Sequence, residues 1–191
     1  MVTTIGVLSL QGDFALHMEI LVNLGQMAKS VRYPNELEDL RGLIIPGGES
    51  TTISKQLDRS GLREAVIEFA RERPVLGTCA GLILMARDPS DTRVIGLNLI
   101  DMVVSRNSWG RQVHSFTTSL QVQVNGRMDM IPAIFIRAPR IEEVGPNVEI
   151  LARIDDEPVL VRQGCHLGAT FHPELTRNTR IHELFLQSVA V

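Results

Sequence analysis

The sequence predicts an α/β fold, a three-layer sandwich whose central, mostly parallel sheet carries antiparallel additions. Two observations carry this. The first half alternates short apolar runs with amphipathic stretches in the order β-α-β-β-α-β-α, which argues a parallel sheet covered by helices on both faces. The second half is a series of strand-like runs joined by turn-forming pairs. At 191 residues, 44% of them hydrophobic, the chain is long enough to bury one continuous core, so a single domain over 1–191 is expected.

The elements follow in order. Thr4 to Leu10 is a compact β-branched and apolar run, the mark of a buried strand. Phe14 to Leu24 carries Leu16, Ile20, Leu21 and Leu24 at helical spacing, with Asp13 as N-cap and Gly25 just past its end. Ala28 to Tyr33 reads as a second strand, and Gly42 to Ile45 as a third, stopped by Pro46-Gly47-Gly48. Ser50 or Thr51 then caps a helical stretch. Leu62 to Glu72 is a helix with Leu62, Val66, Phe69 and Ala70 on one face, ended by Pro74. Val75 to Gly77 opens a strand, and Ala80 to Ala86 is a short apolar helix.

Beyond it, strands are expected at Leu97 to Ser105, Ser115 to Val124, Ile134 to Arg137, Val148 to Ile154, Val159 to Gln163 and Gly168 to Phe171. Asn125-Gly126, Asp155-Asp156 and Gln163-Gly164 suit hairpins. Thr179 to Val189 is a final helix with Ile181, Leu184, Phe185 and Val189 on one face.

The net charge of -3 offers no basic stripe for nucleic acid. No apolar run approaches the ~20 residues that span a bilayer, and the first residues lack a basic region and a cleavage site. A cytoplasmic protein is expected. The two cysteines, Cys79 and Cys165, show no paired metal-ligand spacing, so neither zinc nor another cofactor is called for.

Gly77-Thr78-Cys79-Ala80-Gly81 is the most informative pentapeptide. It has the form Gly-x-nucleophile-x-Gly at a strand-to-helix switch, an elbow that exposes its central side chain at the carboxyl end of a sheet. The helix N-terminus favours a thiolate there, and the Ala80 N–H points to where an oxyanion forms. A lone cysteine is more often a small buried hydrophobe, which is how Cys165 reads, in a turn with no helix behind it.

A cysteine hydrolase needs a histidine base and a group to orient it. His17 and His182 fall within helices and are expected to face solvent; His114 falls in a polar loop and His166 in a hairpin. His172 follows an apolar strand and precedes Pro173-Glu174, placing a carboxylate within reach of its ring. His-Pro-Glu alone is also an ordinary turn; its weight comes from pairing with the elbow. Pro46-Gly-Gly-Glu-Ser-Thr-Thr52 reads as an oxyanion and substrate-carboxylate loop, or alternatively as a phosphate loop. The Gly-x-x-x-x-Gly-Lys-Ser/Thr pattern of the latter is missing.

Together these motifs resemble the class I (triad) glutamine amidotransferases, whose domain is a flavodoxin-like three-layer sandwich. Leu10-Gln11-Gly12, Arg106-Asn-Ser-Trp-Gly-Arg-Gln-Val113, Phe135-Ile-Arg-Ala-Pro139 and Phe171-His-Pro-Glu-Leu-Thr176 make the chain similar, within that class, to the glutaminase subunits of pyridoxal 5′-phosphate synthase. Trp109 stands where phenylalanine is expected. The resemblance implies hydrolysis of L-glutamine to L-glutamate and ammonia, with the ammonia passed to a separate (β/α)₈-barrel synthase subunit for vitamin B6 biosynthesis.

The resemblance further implies Cys79 as nucleophile with His172 and Glu174. It implies an oxyanion hole at Gly48 and Ala80, a glutamine site at Gly47, Gly48, Glu49, Ser50, Arg106, Ile136 and Arg137, and coupling to the partner through Gln11. Arg106 or Arg137 suits the substrate carboxylate, and Glu49 its ammonium. Two other functions compete: a cysteine peptidase or glyoxalase-like enzyme on a related elbow, and a non-catalytic binding module.

Overall fold

A computed structural model describes residues 2–106, 115–124 and 127–190. The segment 107–114, with Trp109 and His114, and the Asn125-Gly126 turn lie outside the described residues, as does any reading placed on them.

The parallel half of the sheet is built from β1 (Thr4–Leu8), β2 (Met27–Val31), β3 (Gly42–Ile45) and β4 (Val75–Thr78). Later strands β10 (Glu149–Ile154), β11 (Glu157–Gln163) and β12 (His166–Ala169) complete it. The order is β10-β11-β12-β4-β3-β1-β2. β12, β4, β3, β1 and β2 pair parallel, and β10 and β11 add antiparallel at one edge. This is the expected parallel centre with antiparallel additions.

Alternation along the strands feeds two cores. Leu43 and Ile45 of β3 and Val75 of β4 face α2 (Ser50–Ser60), α3 (Leu62–Ala70) and α4 (Ala80–Met85). Ile44 and Leu76 face the other way, towards α1 (Phe14–Asn23) and α5 (Arg180–Val189). Phe171 and Phe185 are wholly buried on that side; a fully buried phenylalanine contributes roughly 2–3 kcal/mol.

The remaining strands form two small sheets. β5 (Ala86–Asp88), β6 (Ile100–Ser105) and β9 (Arg140–Val144) form one, and β7 (Ser115–Val124) with β8 (Arg127–Ile136) the other. Neither β5 nor β9 is among the expected strands. β6 starts three residues later than expected, and the run at Ile134 is the tail of the longer β8. β8 contains Pro132 opposite Ser119. The described residues pair β8 with β7 alone, and an edge strand tolerates a residue without an N–H.

The sheet order positions the site. Going β12, β4, β3, β1, the segments leaving successive carboxyl ends are Phe171-His172, Cys79, Pro46-Gly47-Gly48 and Leu10-Gln11-Gly12. The Cys79 N–H donates to Ala169 O at 2.9 Å, and the His172 N–H to Ile134 O at 2.8 Å, so both chain exits are pinned.

Candidate active site

Cys79 sits between β4 and α4 with φ 50° and ψ −106°. A non-glycine residue in such a conformation costs about 1–3 kcal/mol and persists only where its surroundings impose it. Here the flanking glycines impose it. A Cβ on Gly81 would lie 1.9 Å from Ile45 O, and one on Gly77 2.4 Å from Met85 Sδ. Their absence lets α4 press onto the sheet and force the sharp turn.

His172 Nδ1 is 2.6 Å from Glu174 Oε1, the carboxylate being buried in the 3₁₀ turn Pro173–Leu175. Burial opposes charge on the imidazole, but hydrogen bonds with Cys79 and Glu174 outweigh it and raise His172 to about 10. The surroundings thus favour an imidazolium between Cys79 and the Glu174 carboxylate. Gly47 closes over both: a Cβ there would be 2.6 Å from His172 Cε1 and 3.4 Å from Cys79 Cβ.

These groups open into a cavity of about 370 Å³. Gln11, Gly47, Gly48, Glu49, Ser50, Ala80, Arg106, Ile136 and Arg137 line it together with Cys79 and His172. Every residue expected at the site therefore borders one cavity, except Glu174, which stands behind His172. Ile136 O is 4.0 Å from Cys79 Sγ. Arg137, at φ 42°, turns the chain at the end of β8. Gln11 Oε1 accepts from the Glu49 N–H at 3.1 Å, tying the loop after β1 to the loop after β3. Ser50 Oγ is buried with no hydrogen-bond partner among the described residues.

Three expectations change. Glu49, not Ser50 or Thr51, is the N-cap of α2: its carboxylate accepts from the Thr51 and Thr52 N–H groups at 3.3 and 2.7 Å and from both hydroxyls. A carboxylate reaches two N–H groups at once, which a hydroxyl does not. Burial pushes Glu49 up, but these donors together bring it down to about 2. Second, Arg106 is engaged by two carboxylates, Glu49 and Asp91, at 3.0 Å each. Asp91 was not among the expected site residues; it lies in a polar loop with no local signal. Its bonds to Arg93 and Arg106 hold it well below the usual carboxylate range.

Third, His17 and His182 do not face solvent. Both are fully buried and their rings meet, His17 Nδ1 lying 2.9 Å from His182 Nε2. Burial, then the nearby His182 and His172, push His17 well below 6.5, and burial pushes His182 to about 4. The sign follows. Histidines lowered by folding give stability that is present above 6.5 and lost as pH falls towards 4. His172, raised by folding, gives stability that is full below 6.5 and lost as pH rises to about 10. The urea midpoint, measured from pH 4 to 10, is expected to peak near neutrality and fall on both sides; a rise between pH 6.5 and 4.5 would refute the neutral pair.

Among the described residues no group of His, Cys, Asp and Glu is placed to hold a metal, and no helix is long and apolar enough to cross a membrane.

Residues 7–191 match the family described as the SNO glutamine amidotransferase family. A protein of Koribacter versatilis called pyridoxal 5′-phosphate synthase subunit PdxT is 49% identical over 186 residues, covering 97% of this chain and 95% of that protein. Its namesake in Corynebacterium jeikeium is 50% identical over 190 residues, covering 97% and 96%. A crystal structure of a glutamine amidotransferase superposes with a TM-score of 0.90 at 44% identity, covering 98% of this chain and 99% of that one. The chain belongs to the SNO glutamine amidotransferase family.

Proposed function

We propose that this chain, as a single domain over residues 1–191, is the glutamine-hydrolysing subunit of a pyridoxal 5′-phosphate synthase. It would release ammonia from L-glutamine for a separate barrel-shaped synthase subunit. The observation that carries the reading is the Cys79 elbow facing an imidazolium His172 braced by buried Glu174 in one cavity. The names borne by its relatives support the substrate and the assembly.

The chemistry follows from the geometry. Cys79, as thiolate, attacks the side-chain amide carbon of glutamine, and the electrons move onto the carbonyl oxygen. N–H groups of Gly48 and Ala80 hold that oxyanion, each such donor being worth about 3 kcal/mol. His172 gives its proton to the departing nitrogen, which leaves as ammonia, and a γ-glutamyl thioester remains. Now neutral, His172 takes a proton from water; the hydroxide attacks the thioester, glutamate leaves, and the thiolate–imidazolium pair is restored. Glu174 keeps the ring in one orientation throughout.

Glutamine enters with its α-carboxylate towards Arg106 or Arg137 and its ammonium towards Glu49, with Gly47, Ser50 and Ile136 shaping the pocket. The Arg106–Glu49 ion pair already joins the two charge types that a zwitterion presents, so substrate inserts by exchanging partners. Gln11 reports partner docking to the loop after β3 through its bond to the Glu49 N–H.

Ammonia release from L-glutamine, measured with and without the synthase subunit, tests the reading. Turnover is expected with the partner, and much less without it. Cleavage of peptides in place of glutamine, or no turnover in the assembled complex, would overturn it.

A further inference from the structure

Behind Glu174 the buried polar groups do not end, and the scheme above leaves them without a task. His17 from α1 and His182 from α5 are each 0% exposed. His17 Nε2 stands 3.4 Å from Glu174 Oε2 and 3.4 Å from Thr78 Oγ1, the residue before the nucleophile. Its Nδ1 is 2.9 Å from His182 Nε2. Four elements thus meet at one point: α1, β4, the 3₁₀ turn and α5. The groups facing His17 from the other three are Thr78, Glu174 and His182, with His172 beyond the carboxylate.

We propose that His17, itself oriented by His182, is a positioning residue that donates its Nε2–H to the second oxygen of Glu174 and so fixes the carboxylate that steers His172.

Hydrogen-bond bookkeeping selects this direction. A neutral imidazole has one N–H and one lone pair. With the proton of His17 on Nε2, that N–H meets both Thr78 Oγ1 and Glu174 Oε2, each 3.4 Å away and each able to accept. Nδ1 then accepts from His182 Nε2–H, and the one group left over is the lone pair of His182 Nδ1, which has no partner among the described residues. With the proton on Nδ1 instead, Nε2 would accept from the Thr78 hydroxyl, but Glu174 Oε2 would face a nitrogen lone pair and gain no donor. His182 would then bury an N–H with no acceptor, at a cost of about 1–3 kcal/mol. The favoured arrangement runs one way: His182 to His17, His17 to Glu174, with His172 donating to the same carboxylate from the other side.

The separation from His17 Nε2 to Glu174 Oε2 is long, and Oε2 has no aligned donor among the described residues. Catalytic hydrogen bonds are often long or poorly aligned before substrate binds and tighten in the reacting complex. A neutral donor also suits the chemistry. It steadies Glu174 without cancelling the negative charge that His172 needs. A cationic group at the same place would compete with the imidazolium for it.

The proposal rests on the glutaminase reading, and the experiment separates the two. Glutamine turnover is measured in the assembled synthase complex and scaled to the fraction of Cys79 titrated by an electrophilic glutamine analogue. His17→Phe removes the donor while filling the space. It is expected to lower kcat by roughly tenfold or more with KM for glutamine within about twofold, as losing a residue that orients a catalytic group does. His17→Gln, whose amide N–H replaces Nε2–H, is expected to recover most of the loss. Should His17→Phe fail to fold, His182→Leu against His182→Gln reads the same chain from its outer end, with the same expected order. Wild-type kcat per titrated site in His17→Phe, or no recovery in His17→Gln, overturns the proposal while the glutaminase reading stands. No ammonia from the wild-type complex overturns both.

Discussion

Replacing Cys79 by alanine is expected to lower ammonia release in the assembled complex by at least about 10⁴-fold, the scale seen when the nucleophile of a hydrolytic triad is removed. Cys79 is the one nucleophile that the described structure places beside His172, and the residue that carries it is held in a backbone conformation that no packing requirement of a thiol would demand. A cysteine serving only as a small apolar side chain would sit as well at an ordinary φ. The substitution removes a single sulfur atom from a buried site, a loss of about 1 kcal/mol, so the urea midpoint should fall only modestly. Ammonia release falling by less than tenfold, with folding intact, would mean that another group attacks the amide.

The second large effect is on stability. Gly81→Ala is expected to cost at least about 3 kcal/mol, the range reached by strain that a backbone cannot relieve. The new methyl would meet Ile45 O at 1.9 Å and Ile45 C at 2.8 Å, atoms of the strand that leads straight into Pro46-Gly47. No rotamer escapes a clash with main chain, so α4 must lift off β3 and take the elbow with it. Gly164→Ala is the control. Gly164 has φ 58° in the turn between β11 and β12, with nothing within 4 Å of its would-be Cβ. It carries only the left-handed penalty of about 1–2 kcal/mol. Equal losses in the two, read as urea midpoints, would mean that α4 does not rest on the Ile45 carbonyl.

β1, β3 and β4 were legible because they are short, buried runs of apolar residues, with Gly or Pro close by, a local signature that survives without tertiary information. The elbow and the His172-Pro-Glu174 triplet were legible for the same reason. β5 and β9 were not, since Ala86–Asp88 and Arg140–Val144 are short and polar and exist as strands only because β6 lies between them. Asp91 and its hold on Arg106 depend on a contact between positions 15 apart, with β6 between them, that no periodicity records.

His17 and His182 are a different case, because their signal was present. His17 precedes Ile20, Leu21 and Leu24 by three, four and seven positions, and His182 precedes Phe185 and Val189 by three and seven. Helical spacing puts both rings on the apolar stripe. Their polarity argues for exposure and their period for burial, and the period prevails. A buried imidazole needs a partner, and each supplies the other's.

The insertion of β12 beside β4 also has a consequence for how the chain is made. β12 and His172 come from the last quarter of the sequence, whereas β4 and Cys79 lie before its middle. A nascent chain therefore carries its nucleophile on an unpaired sheet border, apolar on both sides, for the whole time that residues 80–165 are being translated. Such a border invites pairing with other chains. The same delay keeps the cysteine chemically idle, since neither base nor carboxylate has yet been synthesised. Completion of the sheet and arming of the nucleophile are thus one event.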